Sequence, residues 1–568
     1  MSLHASAPRR ARYAVPVALT VLIAASCALA AGCWRVYSNT WDEPEHLAAG
    51  VELLDLGRYE YDTEHPPLAR IFLAVGPYFA GARSFGTPPP DGTLEGRDIL
   101  YSGGHYWRFL TLARLGALPF LALLLFATWL WARRLMPSAA AALLPVALLA
   151  SIPPVLGHGG LASLDVAAAA TGLLAFYALQ AWLIRGTWRA AVLFGLATGL
   201  AVVTKFSAVP FIALALVTLG GMQFLLARSA ARPMPESRPR AARYAAGLAL
   251  AVLAGLVPVF LAYGPRAGDT AGVAQRFDWA LNYLLQQQGF DHTLGVWLTH
   301  VPLPRELKDL FNGIMAVKAH NDTGHLAYFM GQVRRDGWWY FYFVALAVKT
   351  PIPVLVAGCA GLAWLAVTGA RARDPWALAP AVLVLTILLF ASTFSRINIG
   401  IRHVLIVYPF LALGAGYLTW RAWRWAVSLA SPRSALLAKS AVLAVMLWQL
   451  ATIWRAYPDY LPYFNEAVRH PERILVDSDL DWGQDLRRLE WRAAELRIPE
   501  LHLAYRGTAV LSREPLPPFV VLPPRQVVSG WVAVSALART RSPADYAWLN
   551  AYRPLERVGK TIDLYYIP

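Results

Sequence analysis

Apolar runs of roughly 20 residues recur along this chain, and each is long enough to cross about 30 Å of hydrocarbon. In that medium a backbone must pair its own polar groups, so the runs are read as helices. They fall near 13–33, 108–131, 139–156, 162–183, 190–204, 206–227, 244–263, 338–368, 376–394, 403–420 and 436–455, which makes about eleven crossings. A composition of 57% hydrophobic and 15% charged residues agrees, and it excludes disorder, coiled coil and a disulfide scaffold. Cys27, Cys33 and Cys359 all lie inside apolar stretches, so a Cys-rich metal site is not expected.

Lys and Arg total 51 against 35 Asp and Glu, a net charge of +16 that could suggest nucleic acid. The placement of the cations argues otherwise. Arg9, Arg10 and Arg12; Arg133 and Arg134; Arg185 and Arg189; Arg228, Arg232, Arg238, Arg240 and Arg243; Arg371 and Arg373; and Arg421, Arg424, Arg433 and Lys439 all fall on alternate sides of the spans. By the positive-inside rule that face is cytoplasmic, the amino terminus with it, and the excess is a topology signal. Leu29 to Cys33 loosely resembles a lipoprotein cleavage box, but the run is long enough to span and is read as an uncleaved anchor.

The opposite face carries the large segments: 34–107, turns near 157–165 and 204–206, a long segment at 264–337, a turn near 395–402, and a tail. Residues 1–455 are therefore read as a membrane module and 456–568 as a small α/β domain outside the cytoplasmic membrane. In the tail, Arg473 to Asp477, Glu500 to Tyr505, Val527 to Val534 and Thr561 to Ile567 read as strands. Gln484 to Leu496 reads as an amphipathic helix. The Pro- and Arg-rich stretch Arg232 to Arg240 reads as a cytoplasmic linker.

The unusual chemistry lies on the outer side. Asp42 and Glu43 open the first segment just where a span surfaces, a place for a general base or a metal ligand as well as for an ordinary helix start. Tyr59 to Leu68 follows, with His65 before a Pro pair that ends one element and starts another. His158 to Ala167 holds Asp165 at the start of an apolar span, where an acid is costly unless paired. Six lysines exist, and two of them, Lys205 and Lys349, sit at or in the membrane; a lipid phosphate contact and simple snorkelling both account for them. Arg396, Arg402 and His403 break the charge rule between two spans, which argues for a task there. His320, Asp322 and His325 have loose metal-ligand spacing, although surface polarity explains them as well.

Neither a Walker A run, a Rossmann glycine pattern nor a nucleophile elbow is present, so a nucleotide cofactor is not expected. A membrane enzyme working outside without nucleotide needs an activated substrate delivered by the lipid. Acids at the membrane lip and cations at headgroup depth fit transfer from a lipid phosphate.

These residues resemble the C-type (GT-C) membrane glycosyltransferases, in particular bacterial relatives of the dolichyl-phosphate-mannose protein mannosyltransferases and the aminoarabinose transferases. The resemblance rests on Asp42-Glu43, His65 to Leu68, His158 to Asp165, Gly337 to Pro351, Asn398 to His403 and Asp477 to Leu486. It implies a GT-C fold and inverting transfer of a sugar, mannose or another hexose or pentose, from a polyprenyl phosphate to a periplasmic protein, lipid or glycan. Asp42 matches the first-loop catalytic acid and Asp165 the second-loop acid, while Lys205 and Arg402 fall where such enzymes keep cations near the phosphate. Asp42 and Asp165 could also share a divalent cation, Mg or Mn. The 264–337 segment is too short for the sugar-binding MIR domain of eukaryotic protein mannosyltransferases, which leaves the acceptor open. The alternative is a polytopic transporter or flippase, which would predict charges near the bilayer midplane and repeat symmetry.

Overall fold

A computed structural model gives the structure of the chain and describes residues 9–228, 238–264, 270–287 and 302–568. Linker residues 229–237, Arg232 among them, and residues 265–269 and 288–301 of the 264–337 segment lie outside the described residues. Eight helices among the described residues are long and apolar enough to cross a membrane: Tyr13–Arg35, Tyr106–Leu135, Asp165–Arg185, Ala208–Arg228, Ala241–Tyr263, Ile352–Ala372, Pro375–Phe394 and Pro432–Ala456. The chain is a multi-pass helical membrane protein with a small sheet domain at its C-terminal end.

The count differs from eleven for local reasons. The 139–156 run is two short helices, Leu143–Leu149 and Pro153–Gly159, since Pro153 and Pro154 lack the N–H that a continuous helix needs. Thr350-Pro351 likewise divides the 338–368 run into Phe341–Lys349 and Ile352–Ala372. The 190–204 run forms Trp188–Val202, a helix of only 15 residues. The 403–420 run continues to Ser428 as the helix Val407–Ser428, whose second half carries Arg421 and Arg424 and is less apolar. Between Asp165–Arg185 and Trp188–Val202 the chain turns at once: Gly186 adopts the left-handed conformation that ends the first helix, and the Thr187 side chain caps the second.

On the face of the large segments, helices Glu43–Leu56, Pro67–Phe79 and Gly92–Tyr101 pack together over a cluster that includes Leu47, Val51, Leu73 and Ile99. Pro66 and Pro67 start the second of these helices, as the sequence suggests. Gly50 allows the contact: a Cβ there would stand 2.3 Å from the Arg70 carbonyl oxygen. A larger apolar core fills the space between the spans.

A hairpin, β1 (Ala327–Phe329) and β2 (Gln332–Arg334), lies on this face. The tail sheet has strands β3 (Leu501–Ala504), β4 (Phe519–Val521), β5 (Gly530–Ser535), β6 (Glu556–Val558) and β7 (Ile562–Ile567) in the order β4-β3-β5-β7-β6. The pairs β3–β4 and β3–β5 are parallel, while β5–β7 and β6–β7 are antiparallel. Helix Leu486–Glu495 covers one face. Three of the strands expected in the tail are thus present, and the fourth is not. Residues 473–477 enter a 3-10 turn and the short helix Asp477–Leu480, with one bridge from Leu475 to Phe329. The stretch that follows wedges under the first large segment instead of joining the sheet: Ser38 N–H donates to the Gln484 carbonyl at 2.9 Å, and Trp41 N–H to that of Trp482 at 3.0 Å.

Candidate active site

Asp42 stands at the N-cap position of Glu43–Leu56, but its side chain makes no cap hydrogen bond. Its Oδ2 instead accepts from Arg402 Nη1 at 2.6 Å. Arg402 comes from the 3-10 turn Ile401–Val404, between two helices, and the same nitrogen lies 3.7 Å from Asp165 Oδ2. Asp165 Oδ1 accepts from Lys205 Nζ at 2.6 Å. Four charged groups expected from three separate outer turns and the first segment are thereby assembled into one cluster. Its carboxylates offset the cost of burying the cations, with Arg402 only 9% exposed and Asp165 2%.

Asp42, Lys205 and Arg402 of this cluster line a cavity of ≈ 500 Å³ whose walls also include Trp41, Glu45, Glu60, Asp62, Glu64, His65, His320, His325 and His403. An apolar crevice of ≈ 290 Å³, lined by Phe206, Phe211, Phe390 and Phe394, shares Ser207, Ile397 and His403 with it. His65 Nδ1 lies 3.0 Å from Asp62 Oδ2, and Asp62 is also paired with buried Arg70. Burial would raise the Asp62 carboxyl, but Arg70 and His65 hold it well below the usual range. Burial and the neighbouring Arg70 keep His46 far below the usual histidine range, so it is neutral and its Nδ1 accepts from Arg70 Nη2 at 3.2 Å.

Other expected residues have different places. Glu43 does not face the cavity: Oε1 accepts from Arg114 Nε at 2.7 Å and from Ala162 N–H at 2.8 Å, and Oε2 from Arg114 Nη2 at 2.8 Å and Thr40 N–H at 2.7 Å. Each oxygen is taken, so Glu43 ties the first segment to the 157–165 turn and is corrected from a catalytic to a structural group. Lys349 is enclosed beneath the tail, where Nζ donates to the carbonyls of Leu461 at 2.8 Å and Asp479 at 2.6 Å. That position corrects the expectation of a phosphate contact. Arg396 is exposed and outside the cavity lining, its Nη1 donating to the Asp322 carbonyl at 3.0 Å. His158 is buried edge-on against Trp482, with ring centres 6.0 Å apart, and does not line the cavity.

Asp322 turns away toward Lys318 and Tyr283, whereas His320 and His325 meet each other at 3.1 Å and His320 meets Glu64 at 2.8 Å. No group of three or more His, Cys, Asp or Glu side chains suited to a metal ion is found among the described residues. Arg402 fills the position between Asp42 and Asp165 that a shared divalent cation would need, so the arrangement does not fit one.

Glu45 is the carboxylate that sequence reading missed. It stands three residues after Asp42, on the same side of one helix, a spacing that was available as a signal. Burial and the nearby Asp62 raise it to about 7, against the opposing pull of Arg70.

The fold and site define a multi-pass membrane protein with a charged cavity on the face of its large segments. Residues 20–264 match the family model described as dolichyl-phosphate-mannose-protein mannosyltransferase, which bears out the resemblance drawn from the first two outer segments. Among solved structures, ArnT from Cupriavidus metallidurans bound to undecaprenyl phosphate is similar at 15% identity and a TM-score of 0.45, covering 96% of this chain and 97% of that one. The archaeal oligosaccharyltransferase AglB from Archaeoglobus fulgidus, in complex with an inhibitory peptide and a dolichol-phosphate, is similar at 12% identity and a TM-score of 0.43, over 78% of this chain and 56% of that one. No curated protein matches the chain.

Proposed function

We propose that the protein is an inverting glycosyltransferase that uses a polyprenyl-phosphate-linked sugar at the periplasmic face of the cytoplasmic membrane. The observation that carries this reading is the Asp42–Arg402–Asp165–Lys205 cluster at the floor of a cavity that opens into an apolar crevice. The crevice suits a prenyl chain, and the cations suit the phosphate it carries. The family model that matches residues 20–264 is itself named for a lipid-phosphate-mannose donor.

Asp42 is the general base. It accepts the proton of an acceptor hydroxyl as that oxygen attacks the anomeric carbon. The bond from the anomeric carbon to the phosphate oxygen breaks with its electron pair, and polyprenyl phosphate leaves as an anion stabilised by Lys205 and Arg402. Attack opposite the leaving group inverts the configuration. The sugar is mannose or another hexose or pentose, and the acceptor is a protein, lipid or glycan of the cell envelope.

The test is transfer by the purified chain from undecaprenyl-phosphate hexoses and pentoses, alongside mass spectrometry of envelope glycans with and without the gene. Release of undecaprenyl phosphate and a missing glycan signal are expected; unchanged envelope glycans and no turnover with any donor would overturn the reading. The orientation is tested separately. Exposed Ser512, replaced by Cys, should react with an impermeant thiol reagent in intact cells, and labelling only after the membrane is breached would reverse the topology.

A further inference from the structure

The Asp477-to-Leu486 stretch, prominent in the sequence, has no place in the chemistry above. Its buried Trp482, 2% exposed, lies face-on to the Arg402 guanidinium, with Cζ 4.5 Å from the ring centre. Arg402 has few other constraints. Nη1 meets Asp42 and lies 3.7 Å from Asp165 Oδ2, and Nε is buried without a hydrogen-bond partner among the described residues.

The loop that carries the indole is held from two sides. The Trp482 backbone N–H donates to Gln484 Oε1 at 2.8 Å, and Gln484 Nε2 to the Leu480 carbonyl at 2.7 Å, which closes a small loop. The first large segment binds this loop through Ser38 and Trp41. The sheet domain binds it through Asp481, which accepts from Leu537 N–H at 2.7 Å, and through Tyr505, whose hydroxyl donates to the Gly483 carbonyl at 2.8 Å. Gly483 is needed at the bend: its φ is +91° and a Cβ would stand 2.8 Å from the Tyr505 hydroxyl.

We propose that Trp482 is a positioning residue that fixes the plane of the Arg402 guanidinium for the donor phosphate, and that the tail domain thereby takes part in donor binding. The proposal rests on the reading of Arg402 as a phosphate cation. A planar cation stacked on a ring keeps its N–H edges free, whereas an unstacked Arg402 is free to leave the line between Asp42 and the phosphate. An indole is the strongest such partner, and burial makes the stack count for more.

The experiment measures binding of undecaprenyl phosphate to the purified full chain in detergent. Trp482→Leu fills the site without a π face and should weaken binding roughly 30-fold. Trp482→Phe should lose about threefold, and in an Arg402→Ala background neither change should weaken binding further. A merely structural Trp482 would make its loss independent of Arg402. Wild-type affinity in Trp482→Leu, or the same loss in the Arg402→Ala background, overturns the positioning role and leaves the phosphate reading intact. Wild-type affinity in Arg402→Ala overturns the phosphate reading and this proposal with it. Should Trp482→Leu fail to insert, the smaller loss in Trp482→Phe, present or absent with Arg402, decides in the same way.

Discussion

Two clusters of buried charge lie on the same face of the membrane module, and they differ in saturation. Around Glu43 the circle is closed. Both of its oxygens accept twice, and Arg114 also donates to the carbonyls of Tyr37 and Ser38. On the cavity floor the circle is open: Asp165 Oδ2, Arg402 Nε and His403 Nε2 are buried with no hydrogen-bond partner among the described residues. An unpaired buried polar group costs stability, so the first cluster fits a structural brace and the second a site that a substrate completes. Proximity in sequence does not separate them, since Asp42 and Glu43 are neighbours.

The sharpest way to break this contrast is Asp42→Asn. It should lower turnover by about 10²- to 10⁴-fold while the melting temperature in detergent holds; wild-type turnover would remove Asp42 from the mechanism. Glu43→Ala should do the reverse. It leaves buried Arg114 without its partner carboxylate and should destabilise the fold by about 3–5 kcal/mol, read as loss of inserted protein, with turnover per folded molecule retained. A stable Glu43→Ala chain without activity would put Glu43 back in the chemistry. Smaller effects come from the cations. Arg402→Ala and Lys205→Ala should each cost about 1.5–3 kcal/mol, a roughly 10- to 150-fold loss of donor efficiency. If melting temperature falls and donor KM and kcat hold, the floor is a second brace.

The smallest effect concerns pH. Glu45 is raised to about 7 by burial and Asp62, and it also faces Arg70, Asp42 and Glu64. A carboxyl whose proton affinity is higher in the fold contributes stability that is complete below the ordinary carboxylate range and is lost as pH rises through about 7. Melting temperature should therefore fall between pH 5 and 8, and Glu45→Gln should flatten the profile; an unaltered profile would assign the titration elsewhere.

Much of the floor was legible in the sequence because its charges violate simple rules. Asp165 in an apolar span and Arg402 in a short turn between two spans are each costly enough to require a reason, and the structure brings both to Asp42. Lys349 was read the same way, and the rule failed for it because rarity says a charge is paired without saying by what. Lys349 is satisfied by two backbone carbonyls, a partnership with no sequence pattern. Trp482 was visible within a motif, yet its stack on a residue 80 positions earlier is a tertiary fact. The spans were legible from hydropathy, and the count of eleven differs from eight because Pro153-Pro154 divides one run, Trp188–Val202 has only 15 residues and the second half of Val407–Ser428 carries Arg421 and Arg424.

The short helix Trp188–Val202 has a consequence for the lipid around it. Its 15 residues rise only about 22 Å, some 8 Å less than an average hydrocarbon core. Leu193 and Leu200 are exposed on its flank, so lipid tails meet this mismatch directly. A bilayer accommodates a short span by thinning beside it, and the chain emerges from this one at Thr204 and Lys205. Where this helix crosses the bilayer, such thinning would draw the headgroup plane toward Lys205 and shorten the way of a lipid phosphate to the cavity floor.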